Sequence, residues 1–399
     1  MSTNGNTAPI MVDDVACLRD YATYPRHVIE DVVRLRRRID DQENPPPAKK
    51  TDQNLIIGTW NIRGFGRVFP SWDENPGSPK RNLQALAYIA EIIRRFDVVA
   101  IQEVKRNLSG IRMLLESLGP DWSLLYSDVT AGDKGNLERL GFIYDRRRVQ
   151  HTGLAGEIVL PPKDRDDQDP SEQLARTPYA VGFQAGGMPF ALVTAHILYG
   201  KVPEDRVGEI RDLANYIADE LIARSRRAQE TGPTRTDRCA RYTIHKPPRR
   251  RRRGQEAPWI DTCRSVMGPM AEEEGNIIVL GDFNIDKRDD PRFEAFSSRG
   301  LWVPPELINV KTTYGKQAKH YDQIAWFRGE SNLAYNNRAG SVDFVGAVFK
   351  DLTTRQMSFR VSDHFPLWAE FRINRSTEKL ACILGQNPDM QNALEVVPD

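Results

Sequence analysis

Five short polar cassettes each close or follow a run of Ile, Val and Leu, and this repeated pairing limits the fold more than any other feature of the chain. The cassettes are Trp60-Asn61-Ile62-Arg63, Ile101-Gln102-Glu103, Gly281-Asp282-Phe283-Asn284, Tyr321-Asp322-Gln323-Ile324 and Ser362-Asp363-His364. Their apolar companions are Leu55 to Trp60, Val98 to Ile101, Ile277 to Leu280, Ile324 to Trp326 and Phe365 to Phe371. Such runs read as buried strands, although a short apolar run alone also fits buried helix. If they are strands of two packed sheets, Asn61, Glu103, Asp282, Asn284, Asp322, Asp363 and His364 gather at one rim. A rim of carboxylates, amides and an imidazole suits a hard, oxygen-seeking cation such as Mg²⁺, with a phosphate ester as its natural ligand. That is phosphoester hydrolysis chemistry.

The rest of the chain supplies a scaffold for such strands. Val28, Ile29, Val32, Val33, Leu35 and Ile39 recur at helical spacing after Pro25, with Arg34 and Arg36 to Arg38 between and beside them. Two readings are open: a basic helix for a nucleic acid or a partner, or a helix packed on the main domain with a solvated arginine face. Pro45-Pro46-Pro47 then ends the helix and makes a stiff lead into the first strand. Residues 1–50 are thus expected to be a helical extension, 51–375 the main domain and 376–399 a polar tail.

Within the main domain, Leu83 to Phe96, Ser109 to Leu118 and Glu204 to Ala223 read as helices. Leu124 to Tyr126, Leu140 to Tyr144, Tyr179 to Gln184 and Phe190 to Ala195 read as further strands. Residues 225–275, rich in Arg, Pro, Thr and Gln, break this alternation and read as a flexible insertion. The run Arg249 to Arg253 inside it would attract a polyanion and release counterions from each phosphate it neutralised; as a bare charge run it would simply be solvated.

At 399 residues, 40% hydrophobic and 28% charged, the sequence describes a globular protein with room for one large domain and a small attachment. No stretch approaches the roughly 20 apolar residues of a membrane span, and Met1 to Pro9 lacks the pattern of a secretory signal. The cytoplasm is the expected location. Cys17, Cys239, Cys263 and Cys382 include no CxxC pair, so neither a disulfide framework nor a zinc knuckle is expected; Cys239, His245 and Cys263 are too irregularly spaced for a metal site. A net charge of +1 argues neither for nor against a nucleic-acid partner.

Taken in order, the cassettes resemble the endonuclease/exonuclease/phosphatase superfamily, and coverage runs from about residue 51 to 375. The resemblance implies a four-layered α/β sandwich, two packed mixed β-sheets flanked by helices, and a Mg²⁺-dependent phosphoesterase in which Mn²⁺ can substitute. Several details look like the deoxyribonuclease I branch: Asn61-Ile62-Arg63 followed by Phe65-Gly66, Gln102-Glu103-Val104-Lys105, Glu138-Arg139 ahead of a strand, Arg176 two residues before Pro178, and Tyr321-Asp322 before Ile324. His196 separates the chain from abasic-site endonucleases, which generally carry asparagine there, but not from inositol-polyphosphate phosphatases or sphingomyelinases. The chain departs from the secreted deoxyribonuclease pattern in its N-terminal extension, its long basic insertion and its lack of an evident disulfide pair.

Roles follow from chemistry and from that family's arrangement together. Glu103, acceptor-only when ionised, can hold a cation directly, joined by Asn61, Asp282 and Asp363. Asp282 and Asn284, two apart, share a face if the strand continues, where they and Asn61 could align water and a phosphate oxygen. The pairs His364 with Asp322 and His196 with Glu138 would supply a base for the attacking water and an acid for the departing alkoxide, in an order the sequence leaves open. Arg63, Lys105 and Arg176 are the candidate phosphate contacts, against ordinary surface cations. The expected activity is a deoxyribonuclease-like endonuclease acting on nucleic acid, DNA first. The rivals are a same-fold enzyme acting on a phospholipid headgroup, an inositol phosphate or another small ester, and a catalytically silent binding module.

Overall fold

Strand β1 (Asn54–Phe65) shows how the apolar runs build the protein, because both of its faces are buried and each meets a different partner. Leu55 and Ile57 join a core shared with the second sheet, while Ile56, Trp60 and Ile62 join a core beneath the N-terminal helices. The period-2 alternation of a strand makes that division. The computed structural model describes residues 18–50, 53–130, 136–160, 174–200, 206–219, 276–314, 318–328 and 333–373. The four cysteines, the run Arg249 to Arg253 and the 376–399 tail lie outside the described residues.

Among the described residues the remaining strands are β2 (Val98–Lys105), β3 (Trp122–Tyr126), β4 (Glu138–Asp145), β5 (Gln150–Glu157), β6 (Tyr179–Ala185), β7 (Met188–His196), β8 (Ile277–Asp282), β9 (Leu301–Trp302), β10 (Asp322–Phe327), β11 (Ala334–Ser341) and β12 (Leu367–Arg372). They form two six-stranded sheets, ordered β11-β12-β1-β2-β4-β3 and β5-β6-β7-β8-β10-β9. Each sheet has one parallel pair, β1 with β2 and β7 with β8, among antiparallel neighbours. Helices α1 (Arg26–Asp41), α2 (Leu83–Ile93) and α3 (Ser109–Leu118) cover the first sheet, and the helical residues 206–219 bury Ile210, Leu213 and Ile217 in the core of the second. The expected four-layered sandwich is what the chain forms.

Two expectations need correction. The α1 stripe is narrower than its spacing suggested: Val28, Val32, Leu35 and Ile39 are buried, whereas Ile29 and Val33 lie on the exposed side. The arginines of α1 are not simply a solvated face. Arg36 Nε donates to Glu91 on α2 at 2.7 Å, Arg38 pairs with Asp343, and Arg34 pairs with Asp31 and donates to the Ala347 carbonyl. Because α1 and α3 both pack against α2, nearly all of α2 is buried. The Tyr88 hydroxyl donates to Asp31 on α1 at 2.5 Å, closing that contact.

At the end of the sandwich opposite the polar cassettes, Asp97 is fully buried and accepts from Ile56 N (2.8 Å) and Arg148 Nε (3.0 Å), with Lys49 Nζ at 3.6 Å. Removing the carboxylate leaves Arg148 and Lys49 facing a hole. Asp97→Ala is expected to lower unfolding free energy by about 3–5 kcal/mol in urea denaturation. A loss under about 1 kcal/mol would show that the network is solvated.

Candidate active site

The polar cassettes meet where the strands of both sheets end. On the second sheet, His196 and Asp282 are register partners at the ends of β7 and β8, and Asp282 pairs in turn with Asp322 at the start of β10. On the first sheet, Asn61 is opposite Gln102 on β1 and β2. The Asn61 amide donates to Asp282 Oδ2 at 2.9 Å and to Glu103 Oε1 at 3.1 Å, and so joins the two sheets. Behind it, Gln102 donates to Thr194 on β7 at 3.0 Å, a second polar tie between the sheets.

Glu103 reaches this place only because β2 is irregular. Val99 and Ile101 face the helices, so strict alternation would send Glu103 the same way. Instead its φ is +60°, the pairing with β1 and β4 slips here, and Val104 takes the helix side. Its other oxygen, Oε2, accepts from Gly64 N at 2.9 Å. A bulge beside a site commonly re-aims one side chain in this manner. Asn284 also has positive φ, 51°, and here the expected shared face does not form. Its backbone turns back so that its N–H donates to Asp282 Oδ1 at 3.0 Å, and its side-chain amide donates to the Ile197 carbonyl at 2.7 Å. Gly281, with φ +142°, has no room for a Cβ, which would lie 2.1 Å from the Ala195 carbonyl oxygen.

Each histidine has one ring nitrogen against a carboxylate and the other toward Asp282. His364 Nδ1 is 2.7 Å from Asp322 Oδ2, and its Nε2 is 3.9 Å from Asp282 Oδ2. His196 Nδ1 is 3.1 Å from Glu138 Oε2, and its Nε2 is 3.6 Å from the same Asp282 oxygen. The His196–Glu138 contact is close but not aligned as a hydrogen bond. Burial alone would drive the His364 proton off, yet Asp322, Asp282 and Asp363 outweigh it and hold the imidazole up at about 10. Burial would likewise raise Asp282, but His364, His196, Asn61 and the Asn284 N–H keep it below the usual carboxylate range. This buried cluster therefore carries both signs of charge at neutral pH.

The candidate phosphate contacts divide. Lys105 Nζ lies 2.8 Å from Glu138 Oε1 and Arg176 Nε lies 2.9 Å from Oε2, so both are drawn to the carboxylate behind His196. Arg63 sits across the site, 3.1 Å from Asp363 Oδ2 and 2.8 Å from Ser358 Oγ, over the Phe359 ring. Among the described residues, two groups have three ligand atoms close enough to share a cation, Glu103 with Glu138 and His196, and Asp282 with Asp322 and His364. Asp363 belongs to neither and pairs with Arg63. The buried Asn61 Oδ1 has no hydrogen-bond partner, and Asp322 Oδ1 likewise has none.

Sequence reasoning missed the residues that hold this arrangement through backbone atoms. Arg81, almost fully buried, donates to the carbonyls of Arg63 (3.0 Å), Arg360 (2.8 Å) and Val361 (2.9 Å), fixing the loops on both sides of Arg63 and Ser362. Burial pushes its guanidinium down to about 10, against Glu103 and Asp363, so it remains charged at neutral pH. Ser362 Oγ donates to the Asn61 carbonyl at 2.6 Å, and Trp60 Nε1 donates to that of His364 at 2.9 Å. Contacts to carbonyls carry no residue-type signal; Arg81 in Lys80-Arg81-Asn82 reads as a loop cation.

Glu138 gives this cluster a measurable pH signature. Burial alone would raise its carboxyl, but His196, Arg176 and Lys105 prevail and hold it at about 2, against an ordinary 4.5. A depressed carboxylate contributes stability above its unfolded pKa and loses it as the pH falls through the folded one. The stability difference between wild type and Glu138→Gln in urea is thus expected to be widest above about pH 5 and to narrow as the pH falls toward 2. A difference that does not vary with pH would contradict this electrostatic picture.

The chain's relatives bear on this geometry. Residues 58–370 match the Endonuclease/Exonuclease/phosphatase family. A protein named deoxyribonuclease from Thioalkalivibrio sp. (strain K90mix) is 31% identical over 343 residues, covering 82% of this chain and 73% of that protein. Deoxyribonuclease gamma of Rattus norvegicus is 25% identical, with 81% and 86% covered, and deoxyribonuclease-1 of Bos taurus 30% identical, with 42% and 55% covered. The chain belongs to the endonuclease/exonuclease/phosphatase family, on its deoxyribonuclease I-like branch, and is a phosphoester hydrolase.

Proposed function

We propose that this member of the endonuclease/exonuclease/phosphatase family is a Mg²⁺-dependent phosphodiesterase, a deoxyribonuclease-like endonuclease that cleaves backbone phosphodiesters by in-line attack of water. The observation that carries the reading is the approach of both histidines to one oxygen: His196 Nε2 and His364 Nε2 lie 3.6 and 3.9 Å from Asp282 Oδ2, each backed at Nδ1 by its own carboxylate. Two oriented imidazoles facing one point are what a displacement at phosphorus needs. One removes a proton from the attacking water as its oxygen bonds to phosphorus; the other protonates the alkoxide oxygen as the ester bond breaks. Each step is worth about 10²- to 10⁴-fold. Asp282 and Asn61 orient the water between them, with Asn284 fixing Asp282 from behind.

The residues present fit a hard divalent ion. Glu103, Asn61 and Asp282 offer oxygen donors, with Asp363 standing apart against Arg63, and the partnerless, buried Asn61 Oδ1 is the kind of atom an ion or its water satisfies. When bound, Mg²⁺ polarises the phosphate and offsets charge growing on its oxygens. Arg63, Lys105 and Arg176 place cations on either side of the histidines, where guanidinium forks and a lysine point charge suit a diester. The deoxyribonuclease names of the relatives favour DNA as the substrate.

The purified protein is expected to nick plasmid DNA with Mg²⁺ or Mn²⁺ and to stop on chelation, and His364→Ala is expected to lower the rate by at least about 10²-fold. Undiminished cleavage by that variant sinks the assignment. A panel of DNA, RNA, inositol phosphates and choline lipids, run with a metal titration, separates this reading from the same-fold rivals.

A further inference from the structure

Tyr199 is a large aromatic side chain left 56% exposed beside a buried site. It is not a loose loop tip. The two residues before it are pinned: Ile197 N donates to the Asp282 carbonyl (2.8 Å), the Ile197 carbonyl accepts from Asn284 (2.7 Å), and Leu198 N donates to Glu209 (2.9 Å). The Arg206 guanidinium lies 4.4 Å from the Tyr199 ring centroid, and Arg206 is itself buried and held by the Asn284 carbonyl at 2.7 Å and Asp286 at 3.3 Å. Tyr321 meets the ring edge-on, 6.2 Å between centroids at 79°, and the Tyr321 ring in turn lies 5.9 Å from that of His364. A continuous row of rings therefore connects the exposed Tyr199 to His364.

The geometry points to a stacking contact: Tyr199 receives the base of a nucleotide flanking the scissile phosphodiester. This rests on the nucleic-acid reading above and adds the part of the substrate that is recognised. An aromatic ring fixed before binding loses little entropy on contact, and every nucleobase offers it a planar face. The surroundings suit an anionic strand: Asp286 is shared by Arg206, Lys319 and Arg292, the last held also by Asp290, and Lys319 is part-exposed. An inositol headgroup has no planar π surface with which to use the ring. Because a base in a duplex is already stacked, the contact favours unpaired or frayed strands.

The test uses single-stranded DNA with one phosphodiester in a phosphorothioate background, with either flanking residue intact or replaced by baseless tetrahydrofuran. For wild type, loss of the base on one side is expected to raise KM about five- to a hundredfold with little change in kcat, the range that stacking contributes per base. Tyr199→Ala should erase that difference between intact and baseless strands, and Tyr199→Phe, which keeps the ring, should retain it. A base advantage that survives Tyr199→Ala overturns the inference, as does a wild type that cuts intact and baseless strands alike. Should Tyr199→Ala fail to fold, the wild-type comparison together with Tyr199→Leu decides. Hydrolysis of methyl p-nitrophenyl phosphate without cleavage of any strand would instead remove the nuclease reading, and the stacking contact with it.

Discussion

A carboxylate as buried as Asp282 is costly to hold ionised, and the way its charge is balanced organises everything around it. Two imidazoles, an amide N–H and a backbone N–H surround it, and they arrive from four separate stretches of chain. That balance requires β7, β8 and β10 to end in register and the first sheet to bring Asn61 within hydrogen-bonding reach. Removing any one of these supports leaves part of the buried charge unanswered, so the site's electrostatics and the packing of the sandwich cannot vary independently.

The fold was legible where strands are buried and, apart from the edge strand β3 read from Leu124 to Tyr126, illegible at the edges. Buried strands need unbroken apolar runs, which is why β1, β2, β7, β8, β10 and β12 stand out in the sequence. β5 and β11 are edge strands whose residues are mostly exposed or part-exposed, such as Gln150, Gly153, Asn336 and Asn337, and nothing in their pattern marks a strand. Glu103 was found by its cassette rather than by periodicity, since alternation aims it at the helices and only the local bulge reverses that. Asn284 was found in the right place for a geometry it does not adopt. In α1, the helical spacing exaggerated the buried stripe, because Ile29 and Val33 fall on the exposed side of the helix.

Glu103 and Asn284 share a conformational cost. Positive φ at a residue with a side chain stores about 1–3 kcal/mol, and such strain persists only where neighbours over-determine it. Gly64 N holds Glu103, while Arg206 and the Asp282 side chain hold the Asn284 backbone. The strain falls on two residues that shape the cluster, while the regular strands behind them, tied by Gln102 and Thr194, provide the stiffness that maintains it.

Three polar partnerships at the centre are shared between the sheets. Glu138 and His196, Asn61 and Asp282, and the loop-borne His364 leading into β12 with Asp322 on β10 each take one member from either side. Neither sheet alone holds any of these three pairs. A slight slide of one layer over the other, too small to melt any strand, would separate all of these couples together, so chemical competence in this architecture is a gauge of interlayer alignment and should fade before the secondary structure does.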